Sequence, residues 1–287
     1  VSAEKRCRHH GALVTGTAVR GTDGVAAVGA EGPNVARVYD YFLGGAHNFP
    51  ADREAAAQVE RTWPQIRDTA RVNRLFLGEA VRHLAGEVGI RHFLDIGSGM
   101  PTMGNVHEVA QQLAPDAQVV YVDSDPVAVA HSQILLAPNP QAVAIEADLL
   151  RPDQILDHPQ VSRLLERGQP VALLLVAVLH FFPDDTGPRH LVAELRDALP
   201  AGSHLVVTHA TGDGQSRQVT EAAEVYRRTT APFQLRDRSE VMSFFDDCDL
   251  VDPGVVLLPG WERDRQRGRS HLAEGRLPVY AGVGRVR

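Results

Sequence analysis

Five short apolar segments dominate the middle of the chain: His92–Ile96, Gln118–Val122, Ala142–Glu146, Val171–Leu179 and His204–His209. None alternates cleanly between apolar and polar, the pattern of strands covered on both faces. Between them lie stretches with helical character, Asn105–Leu113, Pro126–Leu135, Val161–Arg167 and Thr186–Leu199. Parallel strands need long crossovers, usually helical, because a two-residue hairpin can only join antiparallel neighbours. Such a succession packs as a doubly wound sheet with right-handed connections. Two more strands are expected at Gly254–Leu258 and Pro278–Gly284, after helices near Gln215–Arg228 and Ser239–Phe244. The expectation is an α/β fold: a mostly parallel, seven-stranded sheet with helices on both faces.

Three helices are expected before the first strand. Asn34 can cap Val35–Leu43, which stops at Gly44-Gly45. Pro50 can open a helix to about Thr62. A third, Ile66 to about Ala85, sets Val72, Leu75, Phe76, Ala80, Val81 and Leu84 near one stripe. Residues 1–32 are rich in Gly and small residues without periodicity and are read as a flexible tail. The domain reading is therefore a tail over 1–32, an N-terminal helical cap over 33–90, and the α/β domain over 91–287 with a helical insertion at about 211–245. Cys7, His9 and His10 have no second ligand cluster at a recognised spacing, so no metal site is read.

Composition narrows the class. A net charge of −7 argues against a broad basic face for nucleic acid. Two distant cysteines, Cys7 and Cys248, fit a reducing compartment and not a disulfide framework. No apolar run approaches the ~20 residues of a membrane span, and the first residues lack a signal-peptide stretch. A cytoplasmic protein with no membrane or nucleic-acid partner is expected, its oligomeric state open.

Parallel α/β sheets bind ligands at the carboxyl ends of their strands. The first strand ends Asp95-Ile96-Gly97-Ser98-Gly99, where glycines permit a sharp turn and close backbone approach to a ligand. Asp95 would repel a pyrophosphate but suits a cationic ammonium. The third glycine of a dinucleotide fingerprint is absent, Thr102 standing in its place. The second strand ends at Asp123-Ser124, and an acid there can accept from both ribose hydroxyls. Asp125 is read as a solvated loop acid. After the third strand, Asp148-Leu149 can meet the exocyclic amine and a ring nitrogen of adenine. One turn or acid after each of three successive strands is the signal. The fourth strand leads into His180-Phe181-Phe182-Pro183, beside the reacting centre.

The motif series Asp-x-Gly-x-Gly, Asp123, Asp148 resembles class I S-adenosylmethionine (SAM)-dependent methyltransferases, whose fold is Rossmann-like. Ala36-Arg37-Val38-Tyr39-Asp40-Tyr41-Phe42-Leu43-Gly44-Gly45, Asn48-Phe49, Ala51-Asp52-Arg53 and Arg71-Val72-Asn73-Arg74-Leu75-Phe76-Leu77 are similar to one actinobacterial group of them. That group is long catalogued as a domain of unknown function. The resemblance covers about residues 33–284. It implies SAM as cofactor, with Asp95, Gly97 and Gly99 around its methionine part, Asp123 and Ser124 at the ribose, and Asp148 and Leu149 at the adenine. It also implies a lid over the cofactor made from Tyr39, Gly44 and Asn48 with Arg71, Asn73 and Arg74. The residues themselves leave open a packing role for Tyr39 and a helix-stop role for Gly44-Gly45. Pro101 removes one N–H from the expected helix start after the glycine loop.

Methyl transfer to a small-molecule acceptor follows as the expected activity, with a regulatory or catalytically degenerate SAM-binding module as the alternative. A nicotinamide dehydrogenase is disfavoured by Asp95 and Thr102. His180 is the candidate general base, and a structural histidine at a strand end is the competing reading. His204 and His209, at odd separation on one strand, point to opposite faces and cannot chelate one metal. His107 and His131 are read as surface residues. The acceptor pocket is expected from the N-terminal helices and from about Thr208–Phe245, where Tyr226, Phe233, Phe244 and Phe245 could line it.

Overall fold

The computed structural model describes residues 32–101, 104–214, 217–229, 231–261 and 276–287. The expected tail, with Cys7, His9 and His10, lies outside the described residues. The first two helices have the expected bounds: α1 Val35–Leu43 and α2 Pro50–Thr62. Their punctuation is local. The Asn34 side chain accepts from the backbone N–H of Ala36 at 2.8 Å, and Gly44 closes α1 at φ 83°. Helix α3, Ile66–Arg82, continues as a π-helical turn, His83–Val88, ending at Gly89.

The sheet follows as β1 His92–Ile96, β2 Gln118–Asp123, β3 Ala142–Glu146, β4 Val171–Val176, β5 His204–Ala210, β6 Cys248–Leu250, β7 Val256–Leu257 and β8 Val279–Val286. Strand order is β3-β2-β1-β4-β5-β8-β6, with β7 also on β8. The first five run parallel, and β8 is antiparallel to β5. Eight strands thus replace the expected seven. The unforeseen β6 is three residues long, and its Asp249 and Leu250 are exposed. β4 stops at Val176, short of the expected Leu179, because Ala177 takes φ 56° and Leu179–Phe181 form a 3-10 turn. Strand order reverses between β1 and β4, so the ligand crevice opens above these two strands.

Helices α4 Val106–Leu113, α5 Pro126–Leu136, α6 Pro152–Leu156, α7 Pro159–Leu165 and α8 Pro188–Asp197 complete the crossovers, and α9 Arg217–Thr229 and α10 Arg238–Met242 lie between β5 and β6. Apolar clusters fill both faces of the sheet. Helix α3 belongs to one of them through Val72, Phe76, Leu77, Ala80 and Val81, so it covers the sheet as well as joining the cap. A third cluster, separate from the sheet core, joins α1, α2 and α9 through Phe42, Ala56, Val59, Ala222 and Tyr226. The cap therefore has its own small core, completed by a helix that comes much later in sequence. No described helix is long and apolar enough to cross a membrane.

Candidate active site

Above β1 and β4 the cap and the strand ends enclose a cavity of about 330 Å³. The loop after β1 forms its floor. Gly97 and Gly99 adopt φ 71° and 66°, and a Cβ on Gly97 would meet Val178 Cγ2 at 2.4 Å. Val178 is placed there by the reversal at Ala177, whose N–H donates to Thr208 Oγ1 at 2.8 Å. Loop and second strand are stitched together: Gly97 N–H donates to the Val122 carbonyl (2.8 Å) and Gly99 N–H to Asp123 Oδ2 (2.7 Å). Helix α4 begins only at Val106, capped by Asn105, so Pro101 sits in the preceding loop and not at a helix start.

Three carboxylates from the strand ends meet this cavity. Asp95 is buried, has no hydrogen-bond donor among the described residues, and is pushed up to about 7. Burial is the main cause; Arg74 opposes it and Asp123 adds to it. Asp123 is also raised by burial, although it accepts from two backbone N–H groups, Gly99 on Oδ2 and Asp125 on Oδ1 (2.9 Å). Asp148 accepts from Leu150 N–H through Oδ1 at 2.9 Å. Ser124 and Leu149 line the same wall.

The cap supplies the roof. Tyr39 donates its hydroxyl proton to the Ala70 carbonyl (3.1 Å) and accepts from Asn73 Nδ2 (2.9 Å), while Asn73 Oδ1 is buried without a partner. Arg74 reaches Asn105 Oδ1 at 3.2 Å. Tyr39, Asn73 and Arg74 line the cavity; Gly44, Asn48 and Arg71 do not. Gly44 closes α1, and Asn48 Nδ2 donates to Asp40 Oδ2 at 2.8 Å. A Cβ on Gly45 would fall 1.9 Å from Asp40 Oδ1. The glycine pair and Asn48 are thus explained by a loop that folds onto the buried Asp40 carboxylate.

Sequence reasoning missed what anchors the roof. Arg37 is 2% exposed; it donates to Asp52 Oδ2 (2.9 Å), Asp125 Oδ2 (3.2 Å) and the Gly32 carbonyl (3.0 Å). Asp125, expected in solvent, is buried and also caps α5 through Val127 N–H. These partners lie 15 and 88 residues from Arg37, beyond any local pattern.

The far wall is aromatic. His180, Phe181, Tyr226 and Phe233 line it, with Trp63, Ile66 and Thr69 from the cap. Tyr226 stacks on Phe233 (4.8 Å, 20°), and the His180 ring lies 4.7 Å from that of Phe233. Phe244 and Phe245, expected here, pack in the sheet core instead. His180 Nδ1 is buried without a partner, and burial, then His209 and Arg236, hold the imidazole well below its usual range. The ring is therefore neutral. A second unforeseen cluster fixes this loop: the buried Arg236 donates to the Leu179 and Phe182 carbonyls (3.2 and 2.9 Å), to Asp184 and to His209 Nε2 (2.8 Å). Burial lowers His209 to about 3, so its Nε2 accepts. His107 and His131 are half-buried; His107 shares Tyr121 Oη, and His131 lies against His47. No cluster of three metal-ligating side chains occurs among the described residues.

The S-adenosyl methyltransferase family model matches residues 22–287. The chain belongs to that family. Among solved structures it is similar to a protein of the DUF574 family from Streptomyces avermitilis, at 40% identity over 90% of this chain and 98% of that one, TM-score 0.84. It is also similar to a protein named as a candidate methyltransferase from Thermobifida fusca, at 39% identity over 94% and 100%, TM-score 0.85. Both sources are actinobacteria, as the motif resemblance implies. No functionally curated protein matches the sequence. The chain is a SAM-dependent methyltransferase of Rossmann-like α/β fold, and SAM is its cofactor.

The cavity suits that cofactor. A buried carboxylate raised to about 7 with no hydrogen-bond donor among the described residues fits an ammonium group, and the positive-φ glycines leave the floor open to close approach. Asp123 and Asp148 retain acceptor capacity beyond their backbone bonds, as ribose hydroxyls and an adenine amine require.

Proposed function

We infer that this methyltransferase acts on a small-molecule acceptor held in the cavity between the cap and the strand ends. One observation carries the reading: the carboxylates on β1, β2 and the loop after β3 open onto the same cavity as the aromatic wall. A cleft of this kind, lined by apolar and aromatic side chains with a few polar groups, is the usual form of a small-molecule site.

Asp95, Gly97 and Gly99 hold the methionine part of the cofactor, Asp123 and Ser124 the ribose, and Asp148 and Leu149 the adenine. Tyr39, Asn73 and Arg74 close over it, while Gly44 and Asn48 shape the loop that supports them. When bound, SAM supplies a methyl group already activated by a sulfonium. The protein's task is orientation and exclusion of water, and orientation alone is worth up to ~7–11 kcal/mol in favourable cases. His180 holds the proton released by the acceptor. Its depressed affinity for a proton does not bar this role, because with SAM bound an imidazolium at His180 would take over the positive charge that the methyl donor would give up. The cavity keeps the same net charge.

Calorimetric titration with SAM and S-adenosylhomocysteine, followed by transfer of a labelled methyl group, tests the reading. Asp123→Ala should bind both far more weakly while melting normally. Unchanged affinity in that variant removes the ribose contact from Asp123. Cofactor binding with no transfer to any acceptor would instead favour a regulatory module.

A further inference from the structure

The aromatic wall has a chemistry of its own. Phe181, Tyr226 and Phe233 meet the cavity with the His180 ring, centroids 4.4–5.9 Å apart in stacked, tilted and edge-on pairs. Trp63 and Ile66 face them from the cap. Rings attract further rings in offset and edge-on arrangements, so a flat aromatic ligand extends this array and an aliphatic chain does not.

Charge narrows the choice. The ionisable acids and bases on the cavity wall, apart from histidine and tyrosine, are Asp40, Arg74, Asp95, Asp123 and Asp148. Asp40 uses Oδ2 for the His47 N–H and Asn48 while its Oδ1 lies buried against Gly45, and Asp95, Asp123 and Asp148 stand at the strand ends assigned to the cofactor, with Arg74 acting on Asp95 from α3. Among the described residues, none stands on the aromatic side. An ammonium or carboxylate on the acceptor would be desolvated there without a counter-charge. The polar groups on that side are neutral. Thr69 donates its hydroxyl to the Gln65 carbonyl and keeps its lone pairs, and the His180 ring makes no hydrogen bond among the described residues. A buried imidazole left without a partner is rare in folded proteins and marks a place for one.

Resting on the reading that this cavity binds SAM and an acceptor together, we propose that the acceptor site takes a neutral aromatic alcohol of one or two rings. The rings lie among Phe181, Tyr226 and Phe233, and the phenolic hydroxyl donates to His180.

The test uses the full chain saturated with S-adenosylhomocysteine. The chain has two tryptophans, Trp63 on the cavity wall and Trp261 in the core, so Trp63 fluorescence reports occupancy. One- and two-ring phenols are titrated beside their methyl ethers, their anilinium and benzoate counterparts, and aliphatic alcohols of matched size. Phenols should quench saturably, at least about tenfold tighter than the ethers, which cannot donate to His180. Phe233→Leu should weaken phenol binding by about tenfold with S-adenosylhomocysteine affinity retained. Tyr226→Leu serves as a second probe should Phe233→Leu fail to fold. Tighter binding of charged or aliphatic compounds, or equal binding of phenols and ethers, overturns the proposal and leaves the cofactor reading intact. Failure of S-adenosylhomocysteine itself to bind overturns the cofactor reading first.

Discussion

Asp95 should make cofactor binding depend on pH in a way that one substitution abolishes. Its carboxyl is pushed up to about 7 in the ligand-free protein, chiefly by burial. A cofactor ammonium selects the carboxylate, so affinity follows the ionised fraction. With a pKa near 7 that fraction falls from about three-quarters at pH 7.5 to about 3% at pH 5.5, which lowers affinity about 25-fold, or about 2 kcal/mol. The assay is calorimetric titration of S-adenosylhomocysteine across this range in buffers of differing ionisation heat. At the acid end, binding should release about one proton. Asp95→Asn keeps the shape and removes the titration, so its profile should be flatter and its affinity at pH 7.5 lower by about 10- to 100-fold, the worth of a charged hydrogen bond. The same variant should melt higher than the parent when no ligand is present. An acid whose folded pKa is raised costs stability as pH rises from its unfolded value through its folded one, and the amide escapes that cost. A parent affinity that is level between pH 5.5 and 7.5, or an Asp95→Asn profile parallel to it, would refute the assignment of the ammonium to Asp95.

Two further outcomes concern stability. Arg37→Ala strands Asp52 and Asp125, both buried, and breaking a buried charge cluster this way costs about 3–5 kcal/mol; a change below 1 kcal/mol in denaturant titration would show that the cluster does not anchor the cap. His204 is lowered by burial, then by His83, to about 4. Between pH 6.5 and 4 the unfolded chain therefore binds a proton that the folded one refuses, and stability falls on acidification by about 1.4 kcal/mol per unit from this group. His204→Gln should flatten the measured pH slope by that amount.

The fold could be read from the sequence because its determinants are local. Asn34 and Gly44 bound α1, Pro50 opens α2, and apolar segments too short for helices mark the strands. The strand-end acids were legible for the same reason, since topology alone brings Asp95, Asp123 and Asp148 to one edge. What escaped was long-range. Arg37 and Asp125 are ordinary surface residue types until folding places them together, and Arg236 meets Asp184 across 52 residues. The apolar run Val171–Leu179 reads as one strand, but Ala177 turns it so that Val178 covers Gly97. β6 carries too little pattern in three residues, two of them exposed, to stand out.

The clasp formed by Arg37 has a bearing on the order in which ligands come and go. It fastens the first helix to Asp125, two residues beyond the acid assigned to the ribose, whereas α2 and α9 share an apolar cluster that includes Ala56, Val59, Ala222 and Tyr226 beside the aromatic chamber. Prising the roof open at the nucleoside end means exposing three buried charges. At the other end it means parting apolar side chains. Traffic of the smaller guest should therefore be quick and that of the adenosyl compound slow, so that a turnover starts with the latter seated and finishes with its departure.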